Sequence, residues 1–206
     1  MSALTNLANG FPFSGNPQID APAFLYHHEC PNTAAHSQKV AETAFLLAVK
    51  YGMDQQQAET AGWLHDISAV VPNDERLAFS QKLGLEILPE EAEVPLLLHQ
   101  KISAEIAREL FNIQDQTILN AICCHTTLKS QPTPMETLLF VADKLAWDQK
   151  GTPPFFQAMT EALEHSLEKA AWVYQDYLLH SGKLKIAHPW MFASHQELAQ
   201  QFGHPE

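Results

Sequence analysis

Residues 36–69, HSQKVAETAFLLAVKYGMDQQQAETAGWLHDISA, decide how this chain is read. His36 shares a helix face with Val40, Ala44 and Leu47, and further on Ala58, Ala61 and Gly62 repeat the same spacing. That is the period of an amphipathic helix and not of a strand. Asn32 or Thr33 can cap a first helix that runs to about Tyr51, where Gly52 stops it. Asp54 and Gln57 make a capping-box-like start for a second helix through Trp63. The stretch then closes on His65-Asp66, two polar side chains at the end of an apolar run.

Outward from this stretch the pattern stays helical. Pro72-Asn73-Asp74-Glu75 starts a third helix that ends near Gly84, and 89–95 reads as a loop or a short turn of helix. A fourth helix is predicted over 96–111, and a fifth from an Asp115 cap to His125. Thr133-Pro134-Met135-Glu136 combines an N-cap, a proline at the first helical position and a glutamate three residues after the cap. After the break at Gly151-Thr152-Pro153-Pro154, one or two helices fill 155–181, Gly182 ends them, and a last helix covers 190–202. Residues 1–31, with Gly10, Gly15 and four prolines, show no period and read as an irregular arm. Strand alternation is absent almost everywhere. The expected fold is a single all-α bundle, with an arm over 1–31, a core over 32–150 and a helical extension over 151–206.

Composition narrows the function. The 206 residues are 46% hydrophobic, enough for a sizeable core. A formal charge of −12 argues against bulk nucleic-acid binding, which needs basic surface. It leaves room for a small phosphorylated substrate, because a bound metal can supply the positive charge. No apolar run has the length of a membrane helix, and MSALTNLANGFPFSG has neither the basic nor the apolar region of a signal peptide. Cys30, Cys123 and Cys124 form no disulfide framework, so reduced cysteines in a cytoplasmic protein are expected. Oligomeric state is left open, a homodimer included.

Eleven histidines stand out, nearly as many as the twelve Lys and Arg residues. Besides His36, His65 lines up with Ala58, Ala61 and Gly62, His99 with Ile102 and Ile106, and His125 with Ile118, Ala121 and Ile122. Asp143 lines up with Met135, Leu139, Ala142 and Ala146. A lone histidine on an apolar face is more often a hydrogen-bonded core residue than a ligand. Here five helices each aim a ligand-type side chain at the interior, and Asp66 joins them. Buried carboxylates and imidazoles are compatible when they surround a cation. The expectation is a central metal site built from His36, His65, Asp66, His99, His125 and Asp143.

The ordered set His, His-Asp, Asp resembles the HD superfamily of metal-dependent phosphohydrolases. The opening stretch, with LLHQKISAEIARELF, ILNAICCHTT and METLLFVADK, looks like the YqeK-type symmetrical diadenosine-tetraphosphate hydrolase branch over residues 33 to about 145. The resemblance implies that His36, His65, Asp66 and Asp143 hold the main metal, and that His99 and His125 complete a second metal site or contact phosphates. It implies iron, with manganese or other divalent ions substituting. The ligand types themselves suit iron, manganese, cobalt or zinc, as one or two ions.

Two departures from that branch fall at positions near the substrate. Its Glu-Pro after the metal-binding aspartate is missing from Lys144-Leu145-Ala146-Trp147-Asp148-Gln149-Lys150, and its Gly-Arg after the last histidine is replaced in Thr126-Thr127-Leu128-Lys129-Ser130-Gln131. The expected activity is hydrolysis of a nucleotide, foremost a dinucleoside polyphosphate split to nucleoside diphosphates. The alternatives are a nucleoside-monophosphate phosphatase and a non-catalytic metal-binding sensor or scaffold. Asp66 and His65 are the expected catalytic pair, with Asp66 positioning the attacking water. Lys39, Lys101, Lys144 and Thr126 are the expected substrate contacts.

Overall fold

Helices begin where the sequence offers an oxygen to the unpaired N–H groups of a first turn. In the computed structural model, which describes residues 3–147 and 150–203, Asp54 accepts from the Gln57 N–H at 2.9 Å and Asp115 from the Thr117 N–H at 2.8 Å. Thr133 and Glu136 close a reciprocal capping box, with the Glu136 carboxylate accepting from the Thr133 N–H at 2.8 Å. Such caps contribute about 1 kcal/mol each.

The elements in chain order are α1 (Ala3–Leu7), α2 (Pro17–His27), α3 (Pro31–Tyr51), α4 (Gln55–Leu64), α5 (Arg76–Lys82), α6 (Pro89–Glu93), α7 (His99–Glu109), α8 (Gln116–Cys124), α9 (Pro134–Leu145), α10 (Phe156–Ala162), α11 (Leu167–His180) and α12 (Pro189–Phe202). Short 3-10 turns at Ile67–Val70 and Pro95–Leu98 follow α4 and precede α7. Among the described residues there is no strand, and no helix is long and apolar enough to cross a membrane.

Helices α3, α4, α8 and α9 form the centre, each touching at least two of the others. Their inward faces supply Val40 and Ala44, Ala58 and Leu64, Ala121 and Ile122, and Leu138 and Leu139, all fully buried. Burying a side chain such as Leu64 or Ile122 stabilises by roughly 1.5–3 kcal/mol. Helix α7 packs on α8, α2 covers α3 and α4, and α11 lies on α9 with α10 and α12 against it. At the α3–α4 crossing a Cβ on Gly62 would lie 2.5 Å from the Ala41 Cα, so glycine is what lets these two backbones meet.

The structure differs from the sequence reading in three places, the first being that α3 starts at Pro31 behind Cys30, so neither Asn32 nor Thr33 caps it. The arm over 1–31 is not irregular: it contains α1 and α2. Asn16 caps α2 by accepting from the Gln18 N–H, and Pro17 occupies a first-turn position, where a missing N–H does no harm. Phe24 anchors that helix in an aromatic cluster with Phe11, Phe13 and Phe111. The helix predicted over 96–111 begins as α-helix only at His99, after a 3-10 turn. The stretch 155–181, where one or two helices are expected, holds two and divides at Ser166, which caps α11 by accepting from the Lys169 N–H. Asp148 and Gln149, part of the departure noted after Asp143, lie outside the described residues.

Candidate metal centre

Three of the four histidines of the cluster sit at helix ends, and His36 lies in the second turn of α3. His65 is the C-cap of α4, His125 the C-cap of α8, and His99 the first residue of α7. Each repeats one local device, in which the ring Nδ1 meets the backbone carbonyl three residues earlier: Gly62 for His65 at 2.8 Å, Leu96 for His99 at 2.6 Å and Ile122 for His125 at 2.8 Å. A carbonyl can only accept, so Nδ1 carries the proton and the lone pair of each neutral ring is on Nε2. Fixing a ring through its outer nitrogen is how proteins aim imidazoles at metals.

The three Nε2 atoms converge on two carboxylates. The Asp66 Oδ2 lies 3.6 Å from the His65 Nε2, while its Oδ1 lies 3.5 Å from both the His99 and the His125 Nε2. The Asp143 Oδ1 lies 3.0 Å from the His36 Nε2 and 3.6 Å from the His65 Nε2. Two groups of three ligand atoms result, His36–His65–Asp143 and His65–Asp66–His125. His99 adjoins the second, its Nε2 3.1 Å from that of His125. Asp66 thus turns one oxygen toward each side.

This donor set fits a metal on its own geometry. The His65 Nε2 is buried with no hydrogen-bond partner among the described residues. It faces carboxylate oxygens, and the His99 and His125 lone pairs face each other. Lone pairs aimed at lone pairs and at carboxylates repel unless a cation or a proton lies between them. Without an ion, a proton takes that place: burial alone would lower the His65 pKa, yet Asp66 and Asp143 raise it to about 8. Burial pushes His99 down to about 4 and lowers His125, and the neutral His99 ring accepts at Nε2 from the Thr126 hydroxyl at 2.8 Å. Burial would raise the two carboxyls, but the His65, His125 and His99 rings hold Asp66 far below the ordinary range, and Lys144 with His36 and His65 does the same to Asp143. Nitrogen and carboxylate ligands without thiolate suit a transition metal such as iron, manganese or zinc.

Two cavities open onto the cluster, and both include Asp66, Asp143 and Lys144. One, of about 240 Å³, has an aromatic wall of Trp147, Phe155 and Tyr174. The other, of about 380 Å³, is lined by His99, His125, Thr126, Thr33 and Arg76 among others.

Of the expected substrate contacts, Lys144 and Thr126 are at the site. The Lys144 ammonium donates to the Asp143 Oδ2 at 2.6 Å and to the His125 carbonyl at 2.9 Å, and the Thr126 Oγ1 lies 2.8 Å from the His99 Nε2. Lys39 and Lys101 are corrections. Lys39 is exposed on the flank of α3 and lines neither cavity. Lys101 follows His99 by two positions, ~200° around the helix, and so points the other way. Its ammonium is buried on Glu91 at 2.8 Å. Sequence reasoning missed Arg76, whose signal was scarcity: it and Arg108 are the only arginines in the chain.

An all-α bundle with a histidine–aspartate cluster gathered at its helix ends defines a class of metal-binding helical proteins. Within that class the HD domain family model matches residues 33–148, more than half of the chain, and the chain belongs to the HD domain family. It is 43% identical over 151 residues to an uncharacterised protein in the pepC 5′ region of Lactococcus lactis subsp. cremoris, covering 73% of this chain and 77% of that protein. It is 36% identical over 110 residues to a symmetrical bis(5′-nucleosyl)-tetraphosphatase of Staphylococcus aureus, covering 52% of this chain and 55% of that one. The chain therefore spans little more than half the length of that enzyme. The fold is shared with the crystal structure of a predicted HD superfamily hydrolase involved in NAD metabolism from Clostridium acetobutylicum, at TM-score 0.78 and 23% identity, covering 88% of this chain and 96% of that one.

Proposed function

We propose that this protein is a metal-dependent phosphohydrolase acting on a nucleotide, and that it splits a dinucleoside polyphosphate into nucleoside diphosphates. The observation that carries the reading is Asp66, whose two oxygens face two groups of ring nitrogens at the junction of two cavities. An elongated substrate can lay its phosphates over that junction with a nucleoside on the aromatic side, against Trp147, Phe155 and Tyr174. The Staphylococcus aureus relative carries the name of this activity.

His36, His65 and Asp143 would hold one ion, and Asp66 with His99 and His125 a second. The preferred metal is iron, with manganese, cobalt or zinc able to substitute. Bound there, the metal lowers the pKa of a water and neutralises charge on the phosphoryl oxygens. The chain's own groups do the rest. Asp66 orients the ligands of both sides and accepts hydrogen bonds from the attacking water. Lys144, held by Asp143 and the His125 carbonyl, presents positive charge to both cavities. The Thr126 hydroxyl donates to the His99 Nε2 at 2.8 Å and would turn to a phosphate oxygen when a metal takes that nitrogen. Three free cysteines fit a reducing compartment, and we place the protein in the cytoplasm.

The test is metal analysis of the purified protein, followed by turnover with iron or manganese under reducing conditions. The substrate panel is diadenosine tetraphosphate, nucleoside mono-, di- and triphosphates, and cyclic dinucleotides. ADP as sole product from diadenosine tetraphosphate is the expected result. Release of phosphate from nucleoside monophosphates alone would replace the substrate reading. Bound metal with no turnover on any member would make the protein a sensor or scaffold.

A further inference from the structure

We infer that Arg76 is a phosphate-binding residue of this cavity, the cation that grips a substrate oxygen on the wall formed with His99 and Thr126. The inference rests on the reading of the site as one for phosphorylated substrates and adds a residue to it.

The two arginines of the chain have opposite surroundings. Arg108 is on the surface and pairs with Glu105 and Glu109. Arg76, at the start of α5, is only 8% exposed. Its Nε donates to the Val71 carbonyl and its Nη1 to the Leu96 carbonyl, each at 3.3 Å. Those two bonds leave the rest of a five-donor fork unused, and neither acceptor carries a charge. Among the described residues no carboxylate lies within ion-pair distance of it. Buried guanidinium groups ordinarily have a counter-charge, because an uncompensated one is costly. The other buried cation of the cavity, Lys144, is already paired with Asp143.

Asp66 acts on Arg76 across the cavity they share, beyond ion-pair distance, and a directly paired anion can come through that cavity, where Arg76 also faces His99, His125 and Thr126. A planar fork suits two oxygens of one phosphate. The same cavity is lined by Thr33, in the first turn of the 21-residue α3, whose N-cap residue Cys30 makes no side-chain capping bond. The positive end of that helix adds to the preference for an anion. In a chain of formal charge −12, one unpaired buried cation beside a metal-type cluster is a selective feature.

A strut is the competing role, since the Leu96 carbonyl accepts from both Arg76 and the His99 Nδ1. The two roles separate in zinc-loaded protein, read by calorimetric titration with ADP and with inorganic phosphate and by bound zinc per chain. Arg76→Gln keeps an N–H donor for the carbonyls and loses the charge. It should weaken both anions about 10- to 100-fold at unchanged zinc content, with Arg76→Lys between it and the wild type. Unchanged anion affinity, or zinc lost in step with it, overturns the inference.

If Arg76→Gln does not fold, wild-type protein labelled with 15N-arginine answers the question. The Arg76 Nε–H signal should shift on adding phosphate while that of Arg108 stays, and an unmoved Arg76 signal overturns the inference. Turnover of diadenosine tetraphosphate is a separate readout. Phosphate gripped by Arg76 without ADP formation would sink the substrate reading and leave this one standing.

Discussion

Around Glu91, each charge the fold buries is answered by a partner. The Glu91 Oε2 accepts from the Leu88 N–H and from the Lys101 ammonium, both at 2.8 Å, and its Oε1 from the His188 Nε2 at 3.3 Å. The other nitrogen of His188 accepts from the Trp190 N–H at 3.2 Å and so caps α12. Around Asp66 the same residue types are arranged with acceptors facing acceptors: ring lone pairs point at carboxylates, and two of them at each other 3.1 Å apart. Histidine, carboxylate and lysine are buried in both places. The difference lies in the balance of donors and acceptors. A balanced cluster is a staple between α6, α7 and α12, whereas an unbalanced one has a place for a cation supplied from outside.

The sharpest break between the two is removal of one carboxylate from each. Asp66→Ala should lower turnover by at least about 10³-fold and strip the second group of its ion, because Asp66 is the carboxylate ligand of that group. Yet the metal-free variant should lose only about 1–2 kcal/mol, since the Asp66 side chain is 30% exposed and, without metal, a protonated His65 is what answers it. Denaturant titration of both proteins in chelator, with bound metal measured separately, checks the pair of outcomes. A loss of several kcal/mol without metal would mean that Asp66 is as structural as Glu91.

Glu91→Ala should do the reverse. It leaves a buried lysine and a buried N–H without their acceptor and costs about 3–5 kcal/mol, read as a lower urea midpoint. Metal bound per folded molecule should not change. Loss of metal at constant stability would mean that Glu91 serves the metal centre and not the fold.

How far the sequence shows this division is instructive. The ligand positions are legible because each lines or ends the apolar face of a helix, and the caps at Asp54, Asp115 and Thr133 fix where three of those helices start. Lys101 and Lys144 are not separable by sequence, since each lies within two residues of a ligand. The helix turn sends Lys101 to Glu91 and Lys144 to Asp143, and only the fold shows which carboxylate each one meets. The ring tautomers are equally invisible, because they depend on carbonyls freed where helices end at His65 and His125 and on a 3-10 turn before His99. Helix α2 is hidden because Pro17 and Pro22 read as breaks; Pro17 is tolerated in the first turn, whereas Pro22 lies inside the helix and gives up a backbone donor there, with Phe24 supplying the anchor.

Gly62 ties the backbone to one side of the comparison only. A Cβ there meets the Ala41 Cα at 2.5 Å and its nitrogen at 2.7 Å, backbone atoms that cannot swing aside. Gly62→Ala should cost roughly 1–3 kcal/mol through separation of α3 from α4. The Gly62 carbonyl also holds the His65 ring, so metal affinity should fall about tenfold, as when a partner of a ligating histidine shifts. Competition with a fluorescent chelator measures the second effect. Affinity kept at wild-type level while stability drops would show that the ring is aimed without that carbonyl.

The smallest expected effect extends the balanced class to a third carboxylate. Asp20 accepts from the Ser14 N–H at 3.0 Å, the Ser14 hydroxyl at 2.7 Å and the Gly15 N–H at 2.9 Å, tying the loop before α2 to that helix. Burial would raise its pKa, but these donors win and hold it below the ordinary aspartate value; Glu91 is likewise held down by His188, the Leu88 N–H and Lys101. A carboxyl lower in the native than in the unfolded chain adds stability above its unfolded pKa, and that stability fades as pH falls through the native one. Asp20→Asn should therefore cost about 1–2 kcal/mol at neutral pH and progressively less in acid below the ordinary carboxylate range. Urea midpoints of wild type and variant across that range should converge. A gap that stays constant down to the lowest pH would mean that Asp20 acts through shape and not through its charge.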